Sequence, residues 1–125
     1  MQVEYTLRDF SNYLSRNLGI EDLQTDDDLE GFDIDSNYGR LSISKGSLPG
    51  NIVIDMKICD INGSLSKEQL LQLVSSNFLS CSGIYIKDNT LGIQATSSPD
   101  STLEQMYALF NVTINMAQFW KEKIC

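Results

Sequence analysis

The chain has 125 residues, 42% of them hydrophobic and 9% aromatic, with 17 acidic against 9 basic side chains and a formal net charge of -8. A chain of this length buries roughly two-thirds of its unfolded surface, so a single domain spanning residues 1–125 is expected, with no need of a disulfide or metal to fold. The acidity repels phosphate backbones and anionic membrane surfaces, no Lys/Arg stripe offsets it, and the apolar content is too high for disorder; nucleic-acid binding is excluded.

In chain order, the first helix is expected from about Thr6 to Leu18. Leu7, Phe10, Leu14 and Leu18 fall at helical spacing, Tyr5 and Tyr13 flank the stripe, and Gly19 is the stop. Residues 1–20 carry charge throughout and lack an apolar core, so no secretion signal is expected. An acidic linker, EDLQTDDDLEG, follows. Asp26, Asp28, Glu30 and Gly31 imitate the start of a calcium loop. The match then fails, because Asn37 stands at the twelfth position and Asp33 at the eighth, so a solvated loop is the better reading.

Three strands come next. Phe32 and Ile34 alternate with Asp33 and Asp35, and Asn37-Tyr38-Gly39 is a turn. Leu41 and Ile43 alternate with Arg40, Ser42 and Ser44, and residues 46–50 turn again. Ile52, Ile54, Met56 and Ile58 alternate with Val53, Asp55 and Lys57. One apolar and one largely polar face per strand marks an antiparallel sheet covered on one side. A middle helix opens at Ser66 as N-cap, with Glu68 and Gln69 in its first turn. Leu70, Leu71, Leu73, Val74, Phe78 and Leu79 fill more than one stripe of it, as two buried surfaces require. A hairpin follows, with Ile84 and Ile86 opposite in facing to Tyr85 and Lys87, a turn at Asp88-Asn89, and Leu91, Ile93 and Ala95 on the return. Ser101 or Thr102 caps the closing helix. Its main stripe is Leu103, Met106, Tyr107, Phe110, Ile114, Ala117, Trp120 and Ile124. Leu109, Val112, Met116 and Phe119 form a second. The order α-β-β-β-α-β-β-α, without βαβ alternation, predicts an α+β fold: an antiparallel five-stranded sheet with three helices.

Catalytic signals are sparse. The chain contains no histidine, which removes Ser-His and Cys-His pairs and most zinc sites. No phosphate-cradling glycine motif occurs, and two S-x-x-K strings, Ser42 with Lys45 and Ser64 with Lys67, lack partner motifs. Asp33, Asp35 and Asp55 on polar strand faces, with Tyr38 or Tyr85, leave a small acid–base enzyme as an alternative. Cys59, Cys81 and Cys125 are far apart and form no C-x-x-C. A disulfide is therefore not expected, and Cys59, closing an apolar run, reads as a small core residue in a reducing cytoplasm.

The strings LLQLVSSNFL (70–79) and GIYIKDNTLGIQA (83–95), with the closing helix through MAQFWKEKI, carry a resemblance. With the small acidic chain and the element order, the sequence resembles the class I chaperones of bacterial type III secretion, the SycE, SicP and CesT type. The resemblance implies a cytoplasmic bacterial homodimer without cofactor or ATP. It would bind the N-terminal segment of a secreted effector in extended form and keep it competent for export. Matched by position, it implies effector contacts at Leu7, Phe10, Leu14, Phe32, Ile34, Leu41 and Ile43. It likewise implies a dimer contact at Leu70, Val74, Phe78, Ile84 and Ile86. A regulator of the same fold that sequesters a transcriptional activator is the remaining alternative.

Overall fold

The computed structural model describes residues 5–19, 30–37, 39–61, 65–69, 71–72 and 82–125. The acidic linker up to residue 29, Tyr38, and Leu70, Val74 and Phe78 lie outside the described residues.

Helix α1 (Leu7–Leu18) begins at Thr6, whose hydroxyl accepts from the Asp9 N–H at 3.2 Å while the Asp9 carboxylate accepts from the Thr6 N–H at 2.8 Å. This reciprocal box satisfies two donors that a helix start leaves unpaired. Gly19 ends the helix at φ 68°, a left-handed conformation that side chains resist. Strands β1 (Gly31–Ser36), β2 (Gly39–Lys45) and β3 (Ile52–Asp60) form a meander, and β4 (Ser82–Lys87) and β5 (Thr90–Thr96) form a hairpin. Between them, α2 is represented by helical residues 67–69 and 71–72. Ser66 caps it, accepting from the Gln69 N–H at 3.1 Å and donating its own N–H to Gln69 Oε1 at 2.9 Å. The β4–β5 turn places Asp88 at φ 52° and Asn89 at φ 63°, the twist a two-residue hairpin requires. Helix α3 (Leu103–Ile124) starts at Thr102, boxed with Gln105, which resolves the choice between Ser101 and Thr102.

All strand pairs are antiparallel, in the order β1-β2-β3-β5-β4. The chain therefore reaches the far edge with β4 and returns with β5 to the interior. One sheet face carries Ile34, Leu41, Ile43, Ile52, Ile54, Met56, Leu91 and Ile93, all buried. Leu7, Phe10 and Leu14 of α1 and Met106, Phe110, Ala117 and Trp120 of α3 belong to the same core. The phase of α3 differs slightly from expectation. Thr113, not Ile114, is fully buried, and its hydroxyl donates to the Leu109 carbonyl at 2.8 Å, so it needs no outside partner. Ile114 is half-buried.

One expectation is corrected. Cys59 and Cys125 form a disulfide across a sequence separation of 66 residues. The cause is a register shift in β3. Lys57 pairs with Gly92 but Cys59 pairs with Leu91, so an extra residue is inserted at Ile58. Simple alternation after Ile58 would turn Cys59 to the open face. The bulge turns it to the helix side, beside Leu91, where α3 ends.

Candidate functional site

The outermost strands, β1 and β4, each pair on one side only. Among the described residues, their outer backbone groups meet no further strand, and such edges template pairing with another chain. At the β1 edge, Phe32 is half-buried and still presents part of its ring. At the β4 edge, Ile86 is 46% exposed. Its neighbour on the same face, Ile84, packs against the core. The second stripe of α3 divides similarly: Leu109 and Met116 are half-buried, while Val112 and Phe119 are exposed. Lys123 lies 5.6 Å from the Phe119 ring centroid. Leu71 of α2 is 57% exposed.

Six of the seven residues expected at the effector surface face inward. Leu7, Phe10, Leu14, Ile34, Leu41 and Ile43 are buried. The reason is that both sets, from α1 and from β1 and β2, belong to one core, in which α1 packs against α3 and α3 covers the sheet at β3 and β5, so they are spent on the chain's own packing. Of the expected dimer residues, Ile84 and Ile86 lie together on β4.

The uncovered sheet face is polar. Asp33 accepts from the Ser42 hydroxyl at 2.9 Å and lies 4.0 Å from Arg40, whose Nε donates to Asp35 at 2.9 Å. The Asp35 hydrogen bond, then its charge, raise the pKa of the Arg40 guanidinium. Tyr85 donates its hydroxyl to Asp55 at 2.6 Å, crossing Gly92 on the intervening strand. A Cβ at Gly92 would run into the Tyr85 ring, so only glycine leaves room for this pair. Two shallow troughs lie on this face, of about 520 Å³ and 420 Å³, and share Asp55, Lys57 and Gln94.

This arrangement gives the acid–base alternative little to work with. Burial, then donation to Asp55 and the nearby negative charge, push the Tyr85 pKa well above its ordinary value. The phenol is held protonated as a donor, and a tyrosinate base is disfavoured. Asp33, Asp35 and Asp55 all accept hydrogen bonds from neighbours, and the troughs containing Asp55 are open to solvent rather than enclosed.

No family model and no curated protein sequence matches the chain. Solved structures do. At 14% identity and TM-score 0.69, 91% of this chain superposes on 96% of a chain from the heterodimeric complex ExoU-SpcU of the type III secretion system of Pseudomonas aeruginosa. At 12% identity and TM-score 0.70, 90% of this chain superposes on 91% of a chain from the HopA1-SchA chaperone-effector complex. The likeness is one of fold: the α+β architecture with a five-stranded antiparallel sheet is shared with chains of a type III secretion complex and of a chaperone-effector complex.

Proposed function

We propose that the chain is a bacterial cytoplasmic chaperone that binds the N-terminal segment of a secreted effector in extended form and keeps it competent for export, without ATP. The observation that supports this reading is a fold shared with chains of type III secretion and chaperone-effector complexes, combined with two outermost strands that, among the described residues, meet no further strand and each bear a partly exposed apolar side chain. An extended segment adds to such an edge by main-chain hydrogen bonds, and side-chain pockets select its residues. On the β1 side, Phe32 is the anchor at the surface. Leu7, Phe10, Leu14, Ile34, Leu41 and Ile43 form the floor beneath it and fix its position. On the β4 side, Ile84 and Ile86, with Leu70, Val74 and Phe78 of the middle segment, form a contact with a second copy of the chain. The acidic surface favours an effector segment with basic residues between its apolar anchors.

Affinity capture from the native cell, followed by limited proteolysis of the captured complex, tests the reading. The expected product is this chain with a short protected fragment from the N-terminal region of a larger secreted protein. Capture of a transcriptional activator, or of no protein above background, would overturn it.

A further inference from the structure

Cys59 and Cys125 carry a chemistry that effector binding does not use. We propose that they form a reversible thiol–disulfide switch that fastens the end of α3 to β3. The two positions are unequal. Cys125 is exposed and forms the C-cap of α3, its N–H donating to the Lys121 carbonyl at 3.1 Å. Cys59 is half-buried against the core, brought to the helix side by the β3 bulge. An exposed disulfide is open to exchange with small thiols, unlike a sealed one. Helix ends also fray, because their last carbonyls lack intrahelical partners. Among the described residues, the last turn is otherwise held by its own cap hydrogen bond to Lys121 and by the half-buried Ile124 against the core, so reduction removes its covalent tie to β3.

The oxidant is a low-molecular-weight disulfide such as oxidised glutathione. The Cys125 thiolate attacks one of its sulfurs, forming a mixed disulfide and expelling one glutathione thiolate. The Cys59 thiolate then attacks the Cys125 sulfur, forming the Cys59–Cys125 bond and expelling the second glutathione. Two protein thiols are oxidised, one small disulfide is reduced to two thiols, and the two protons given up by the cysteines are taken up by the glutathione thiolates. Excess reduced glutathione runs the sequence backward.

The full chain, equilibrated in glutathione mixtures from reducing to oxidising, is quenched with an alkylating agent and read by intact mass and peptide mapping. The expected result is a Cys59–Cys125 linked peptide in oxidising mixtures that disappears in reducing ones, with Cys81 alkylated throughout. The linked form melts higher by roughly 10 °C, since the bond closes a long loop. Cys125→Ser melts with the reduced protein in every mixture. The proposal is overturned if the linked peptide is absent from the most oxidising mixture, if it persists in the most reducing one, or if both forms melt together. A glutathione-dependent shift retained by Cys125→Ser would also overturn it, since that shift would belong to Cys81.

Discussion

Gly92 has no side chain, and the Tyr85 ring on the neighbouring strand occupies the space above it to reach Asp55 on the strand beyond. The phenol is neutral when protonated, and the fold favours that form over the unfolded chain. Its contribution is present in full below the ordinary tyrosine value of 10 and is lost as the pH rises through the raised folded value. In a spectrophotometric titration, one tyrosine should ionise after the others, and Tyr85→Phe should remove that late step. The variant should also lose less stability than the parent above about pH 10. Gly92→Val puts branched carbon where the ring lies, and should cost about 1–3 kcal/mol in a urea titration. Tyr85→Ala in the same background should recover part of that loss by vacating the space.

At the scale of elements, the capping boxes were only partly legible. Ser66 announced itself with Gln69 three residues on. Ser101 and Thr102 were adjacent candidates, and only the backbone turn decides which hydroxyl reaches the Gln105 N–H. Thr102→Ala should lower the unfolding free energy by about 1 kcal/mol, measured by urea denaturation, whereas Ser101 does not cap the helix. Strand facing was readable because alternation has a period of two and reports both faces at once. Cys59 read as a core residue and does pack against the core; its disulfide escaped because Cys125 lies 66 residues away, and no residue type at Lys57, Ile58 or Cys59 signals the inserted residue that accompanies the pairing. On α3, apolar content pointed to Ile114, but the spacing 106-110-113-117-120 puts Thr113 under the helix. A threonine is tolerated there because it returns its hydroxyl to its own backbone. Six of the seven expected effector contacts are buried in this chain, and composition alone does not announce that, because a buried strand residue and an anchor for a partner are the same residue types.

For the whole molecule, the distinction between floor and rim sets how the proposed function is to be probed. Phe10 is fully buried, so Phe10→Ala should cost about 3–5 kcal/mol of stability and would report on folding rather than recognition. Ile86 is an exposed edge residue. Ile86→Lys should leave the unfolding midpoint of dilute protein within about 0.5 kcal/mol of the parent, while light scattering should fall from twice to once the chain mass of 14.0 kDa. A parent already at single mass under micromolar conditions would remove the proposed dimer.

The order β1-β2-β3-β5-β4 has a consequence for biogenesis. The three-strand meander is complete by residue 60, yet β3 lacks its α3 cover until Met106, Phe110, Ala117 and Trp120 have been synthesised. A nascent chain on the ribosome therefore holds a sheet only partly roofed by the residues of α1, and β3 lacks its inner neighbour until β5 emerges. Non-local pairing of this kind is slow to nucleate. Shortening the message so that translation stops before α3 should yield an insoluble product rather than a smaller working domain.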